Sequence, residues 1–330
     1  MIRPMRTLAF ALAAVAFGAV AQAQQTIKIY TGGAPSGKGS AYHEGIGKGV
    51  QDVLEPIAKD FGYDVQLVPS NGSVDNANKL AAETGGIAFG IGQGGLNYAP
   101  VISGAVSILR NDLPGECAMA FSKEPQLSSW GEIVKNKERI TWVVPENSGS
   151  EAFIKRMYRE DANFTGAEPQ FWFTSGAESI LAAVNHPEKR GMVGFFYAYP
   201  NPTGGLINMA AKDDMRIFGV LSPDIAKTDE AYYLNRRAPY KLAWLGLGET
   251  QTTRAMCSKA LLFVNDISKI EDTWAAEDAK AILEAMAAVP AEAMVAKSGP
   301  LAKLMRQVES MSEEYGLNEM VTDLEEQLTQ

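Results

Sequence analysis

The chain has 330 residues, 46% of them hydrophobic, and 39 acidic side chains outnumber 30 basic ones for a formal net charge of −9. This length suffices for two medium domains, and the acidic balance argues against nucleic acid or an anionic membrane surface as a partner. A small anion stays open as a ligand, because local amides and hydroxyls can hold one whatever the net charge.

Residues 1–23 read as a secretory signal peptide. Arg3 and Arg6 supply the positive start, Leu8 to Val20 the apolar run, and Ala21-Gln22-Ala23 an A-x-A cleavage site. Cleavage after Ala23 places a chain starting at Gln24 in the periplasm, and the loss of two arginines and no acid moves the charge from −9 to −11. No later stretch reaches about 18 uninterrupted apolar residues, so no stable membrane insertion is expected.

From there strand and helix signals alternate, which predicts α/β architecture. Thr26 to Tyr30 reads as a strand, Thr31 to Ser40 as a glycine-rich loop, and Ala41 to Lys59 as a helix. Tyr63 to Val68, Ser73 to Glu83 and Ile87 to Ile91 follow as strand, helix and strand, while Val101 to Leu109 is apolar without a clear period. A second series starts after Pro125. It runs through a strand at Ile140 to Val144, the turn Asn147-Ser148-Gly149-Ser150 and a helix at Glu151 to Glu160. A strand at Gln170 to Phe173, the turn Thr174-Ser175-Gly176 and a helix at Ala177 to Asn185 come next. Strands at Met192 to Tyr197 and Met215 to Leu221 complete the series. Phe171-Trp172-Phe173 and Phe195-Phe196-Tyr197-Ala198-Tyr199 read as core strands, with Tyr197 and Tyr199 near a strand end. Leu261 to Val264 is a late strand, and Ala275 to Val289 and Ala302 to Tyr315 carry helical spacing.

The two series repeat one logic, which predicts two Rossmann-like lobes facing a cleft. If the late strand returns to the first lobe, that lobe spans 24–116 and 258–330, the second spans 117–257, and the crossovers fall near 115–122 and 253–261. Cys117 and Cys257, the two cysteines, lie in or beside those segments. In an oxidising compartment a bond between them would tie the hinge strands together.

Serine-glycine turns recur at helix starts, as Gly72-Ser73, Ser148-Gly149-Ser150 and Ser175-Gly176. Helix N-termini carry outward amides and the positive end of the helix dipole, and so suit an anion. Ser73 alone would be explained as an N-cap. Gln93 ends a buried strand, where α/β sheets place ligand contacts. Gly32 to Ser40 nearly spells the phosphate-binding pattern G-x-x-x-x-G-K-[ST], but Gly39 stands at its last position, which argues against a nucleotide. His43 and His186 have no partners at metal-ligand spacing, so neither metal nor cofactor is expected. No G-x-S-x-G elbow occurs. Arg110, Arg236, Arg237 and Arg254 are candidates for pairing a carboxylate, and nothing in the sequence ranks them.

Several of these segments match a known family in order. Ile27-Lys28-Ile29-Tyr30-Thr31-Gly32-Gly33, Gly39-Ser40-Ala41-Tyr42, Gly72-Ser73-Val74-Asp75-Asn76, Ile91-Gly92-Gln93 and Asn147-Ser148-Gly149-Ser150-Glu151 together resemble the TAXI-type solute-binding proteins of TRAP transporters. The resemblance covers residues 25 to 155. Pro35 to Gly37 looks like an insertion, Ala41 replaces the first of two tyrosines, and Gly94-Gly95 follows Gln93 where the family often has Ser-Asp. The resemblance implies a type II periplasmic-binding-protein fold and a small organic anion, a carboxylate or amino acid, delivered by a non-enzymatic monomer to a membrane permease. Motifs and resemblance together nominate Thr31, Gly32, Ser40, Tyr42, Gly72, Ser73, Asn76, Gln93, Ser148, Ser150, Ser175 and Tyr197 for ligand contact. Two alternatives stay open: a phosphate or phosphonate binder serving an ABC importer, and a secreted enzyme, which would need a perturbed acid/base pair in the cleft.

Overall fold

A computed structural model describes residues 25–198, 205–241 and 250–295. The signal peptide, Tyr199 and the helical pattern at Ala302 to Tyr315 lie outside the described residues. In chain order, β1 is Thr26–Tyr30, and a π-helical turn over Ala41–Gly47 leads into α1 at Lys48–Asp60. Then come β2 (Asp64–Val68), α2 (Ser73–Ala81), β3 (Ala88–Gln93), α3 (Ala99–Ile102) and β4 (Val106–Ser122). The second series comprises α4 (Trp130–Lys135), β5 (Thr141–Pro145), α5 (Gly149–Glu160), β6 (Gln170–Thr174), α6 (Ala177–Val184) and β7 (Met192–Ala198). After it stand α7 (Gly205–Lys212), β8 (Arg216–Gly219), α8 (Pro223–Thr228), β9 (Tyr232–Lys241), β10 (Thr250–Asn265) and α9 (Thr273–Ala288).

The strands form one sheet in the order β2-β1-β3-β10-β4-β7-β5-β6, with β8 also on β4 and β9 also on β10. Each side is wound alike: a parallel trio in the order second, first, third, closed by an antiparallel strand. On one side β10 closes β2-β1-β3, and on the other β4 closes β6-β5-β7. The two closing strands are the long ones, they pair with each other, and each runs from one half into the other. This α/β winding, two like halves joined by two crossovers, is the type II arrangement expected.

Each half has its own apolar interior. Ile29, Ile46, Leu54, Phe89, Leu262 and Ile282 are fully buried in the first. Trp142, Phe153, Phe195, Phe218 and Tyr232 lie in the second. Cys117 and Cys257 face each other across β4 and β10 and are disulfide-bonded, closing a sequence separation of 140 residues.

Three readings are corrected. Phe171-Trp172-Phe173 is not a core strand: β6 is the sheet's edge, and Trp172 and Phe173 are exposed. Val101 to Leu109 is two elements, the end of α3 and the start of β4. None of the four arginines named as candidates for pairing a carboxylate lines the cavity between the halves. Arg110 is held by Asp112 and by the Val289 carbonyl, and Arg236, Arg237 and Arg254 are exposed.

Candidate functional site: a cavity of helix starts

Four helical N-termini converge on one cavity of about 90 Å³ between the halves. The first is the turn that opens at Ser40, whose hydroxyl accepts the His43 N–H. The second is α2, capped by Gly72 with φ +121°, a conformation an L side chain rarely adopts. Ser73 is therefore the first helical residue and not the cap. Its Oγ instead accepts the Gln93 N–H at 3.2 Å and so fixes the end of β3 to the start of α2.

From the other half, α5 starts at a variant of the capping box, whose carboxylate returns to the residue before the cap. Ser148 accepts the Glu151 N–H at 3.1 Å, and the Glu151 carboxylate returns to the Asn147 N–H at 2.6 Å. The fourth start is that of α6, where Gly176 lines the cavity. Amides and dipoles of all four point positive potential inward, and the effect is strongest where solvent is excluded.

The halves meet closely around this space. The Asp75 N–H donates to the Asn147 carbonyl at 3.0 Å, Leu206 N–H to Gly39 at 3.3 Å, and Arg156 to the Gly95 carbonyl at 2.7 Å. Lys38 reaches Glu178 at 2.7 Å on the exposed rim. A Cβ on Gly149 would stand 2.7 Å from Gln93 Oε1 and 2.8 Å from Ser73 Oγ, closer than real contacts allow. A side chain there would force Gln93 or Ser73 to shift.

Of the nominated residues, Gly32, Ser40, Tyr42, Gly72, Ser73, Gln93, Ser148, Ser150 and Tyr197 line the cavity. Thr31, Asn76 and Ser175 do not. Thr31 is fully buried beneath it, its hydroxyl 2.7 Å from His43 Nδ1. Asn76, also fully buried, spans from Ser70 Oγ to the Ile91 carbonyl and so braces α2 against β3. Ser175 is exposed one position before the α6 cap.

One residue was missed. Glu116, on β4 just before Cys117, is fully buried and lines the cavity. Tyr42 OH donates to its Oε1, while its Oε2 has no hydrogen-bond partner among the described residues. Burial pushes its carboxyl up to about 8, partly opposed by the Tyr42 bond. Burial and the neighbouring Glu116 hold the Tyr42 phenol far above its ordinary range. No signal in the sequence separates Glu116 from the other acids, because its inward direction is set by the register of β4 against β10.

Gln93 is fully buried, and its amide nitrogen donates to the Tyr197 and Tyr232 hydroxyls. Its Oε1 likewise lacks a partner among the described residues. No lysine, arginine or histidine lines the cavity among the described residues, and none holds a candidate metal cluster.

No protein-family model matches the chain, and no curated protein matches it. Among solved structures, it is similar to the periplasmic binding protein BugD at 11% identity and TM-score 0.46, over 89% of this chain and 97% of that one. It is similar to MatC from Rhodopseudomonas palustris with bound malate at 11% identity and TM-score 0.42, over 88% and 98%. The GluR0 ligand-binding core in complex with L-glutamate is similar at 10% identity and TM-score 0.42, over 79% and 92%. Function is therefore read from the chemistry of the cavity.

Proposed function

We propose that this chain is an exported solute-binding protein that captures a small carboxylate-bearing solute between two lobes and hands it to a membrane permease. The observation that carries the reading is the convergence of four helix starts, contributed by both halves, on one small cavity. A solute bound there touches both lobes at once and stabilises the closed arrangement relative to an open one. The lobes would be 24–116 with 258–330, and 117–257, hinged at the paired strands β4 and β10. The volume favours a solute of few heavy atoms, since sites for drug-sized ligands run to roughly 300–1,000 Å³.

Export with cleavage after Ala23, the TAXI assignment and a TRAP-type permease belong to the same reading. The sequence motifs between residues 25 and 155 support them. No helix among the described residues is long and apolar enough to cross a membrane.

An enzymatic reading gains one observation, because Glu116 is a perturbed acid inside the cavity. No histidine, lysine, arginine or cysteine lines the cavity beside it among the described residues. The hydroxyl nearest to Glu116, that of Tyr42, is committed to Glu116 and is itself hard to ionise. Two assays separate the readings. Native mass spectrometry and thermal-shift screening of the purified mature chain with small carboxylates should find a ligand recovered unchanged. Turnover of that ligand on prolonged incubation would favour the enzyme, and the absence of any stabilising carboxylate would remove the proposal.

A further inference from the structure

The cavity is chemically two-sided. Towards the helix starts it offers positive potential, and Ser40, Ser148 and Ser150 stand at or beside those starts. From β3 and β4 it is faced by two fully buried oxygens, Gln93 Oε1 and Glu116 Oε2, neither of which has a hydrogen-bond partner among the described residues. Buried polar atoms left alone are costly, and more so when charged, so native chains satisfy nearly all of them. A plain dicarboxylate brings no donor to Gln93 Oε1 and can meet Glu116 only in its protonated form. A protonated amine brings three donors and a compensating charge.

We infer that Glu116 and the Gln93 side-chain carbonyl form a subsite for a protonated amine, so that the solute is a small amino acid with its carboxylate on the helix starts and its ammonium against Glu116. The inference rests on the reading of the cavity as a carboxylate-solute site and adds the second half of the ligand to it. The groups around Glu116 leave the role open to the solute. Tyr42 donates to one oxygen, and Tyr98, Tyr197 and Tyr232 lie within its electrostatic reach as neutral phenols. On the neighbouring β10, Ser258 is in register with Glu116, and Lys259 beside it is exposed. Ser258 Oγ has no partner among the described residues and does not line the cavity. No protein cation meets the carboxylate among the described residues.

Binding of an ammonium requires Glu116 to be ionised. Because burial holds its proton until about pH 8, an amino-acid solute expels that proton, and its affinity rises with pH over the range below. A solute carboxylate meeting protonated Glu116 would behave the opposite way and weaken as pH rises. The test is calorimetric titration of the mature chain with matched pairs: L-alanine against propionate and L-lactate, L-aspartate against succinate and L-malate, and L-glutamate against glutarate. The expected result is that in at least one pair the amino member binds at least about tenfold more tightly. Its affinity should climb between pH 6 and 8 and one proton should be released, as read from buffers of different ionisation enthalpy. Glu116→Gln, which keeps the shape and a Tyr42 acceptor, should lower that affinity by about 10- to 100-fold and abolish the proton release. If Glu116→Gln does not fold, the pH series on the unaltered chain decides alone. Tighter binding of the des-amino partners, or affinity that falls as pH rises, overturns the ammonium subsite while leaving a carboxylate binder. No binding by any member overturns the carboxylate reading and the subsite with it.

Discussion

Burial of Glu116 has a thermodynamic signature besides ligand binding. A glutamate in the unfolded chain ionises near 4.5, whereas in the folded cavity Glu116 keeps its proton to about 8. Between these values the native state binds more protons than the unfolded state, so stability falls as pH rises through that window. Comparing denaturant unfolding of the ligand-free chain with Glu116→Gln from pH 5 to 8, the unaltered chain should lose on the order of a few kcal/mol relative to the variant. Parallel pH profiles would show that Glu116 is not buried as a neutral acid. At this scale the sequence was informative about polar residues in glycine-rich turns and silent about Glu116. Ser40, Gly72, Ser73, Ser148 and Ser150 reach the cavity because a turn before a helix in this topology faces the cleft. Thr31 and Asn76 carry the same kind of side chain within the same motifs, yet their polar atoms are used internally to brace the loop and α2. Residue type and spacing look alike for both roles, and only the direction of the side chain separates them.

Among the elements, α5 shows how a helix start doubles as a contact between the halves. Its capping box is local, while Gly149 stands against Gln93 and Ser73 of the opposite half. Gly149→Ala should therefore leave the unfolding of the ligand-free chain nearly unchanged, since alanine suits a first helical turn. It should weaken solute binding by at least about tenfold, because the added methyl must be accommodated before the halves can close, at about 1–3 kcal/mol. Calorimetry with any stabilising solute checks this, and equal affinity in the variant would mean that the halves do not close through this contact. Boundaries of elements with strong alternation were readable: β1, β2, α2, β5 and β6 fall within a residue or two of their sequence positions. Two kinds were not. At β6, aromatic content suggested a core strand, but the fold places it at an edge, which no local pattern encodes. At β9, Asn235, Arg236, Arg237 and Pro239 interrupt the alternation, and the strand exists because it pairs with β10.

At the level of the whole molecule, alternating strands and helices and the repeat of one turn logic were enough to anticipate two similarly wound halves and a late strand returning to the first. What they could not give is the continuity of the sheet, because it depends on β4 and β10 pairing over both halves. The Cys117–Cys257 bond sits in that pairing and closes a loop of 140 residues in sequence separation. In the chain-entropy model such a loop contributes about 4–5 kcal/mol to stability. Denatured, unreduced protein should show no reactive thiol, and reduction should lower the unfolding free energy by a comparable amount. Two titratable thiols in the unreduced chain would contradict the pairing.

The central claim is that one small solute is held by helix starts from both halves. It is tested most directly by calorimetric titration of a solute found by thermal-shift screening into the mature chain and into Ser73→Ala, Ser150→Ala and Gln93→Ala. The account predicts one solute per chain and, with the Ser150 hydroxyl proposed to donate to the solute carboxylate, a loss of about 1.5–3 kcal/mol of binding free energy in Ser150→Ala. Ser73→Ala and Gln93→Ala should also weaken binding, because those residues fix the junction of α2 and β3 and face the solute. Unchanged affinity in all three variants would place the site elsewhere on the molecule.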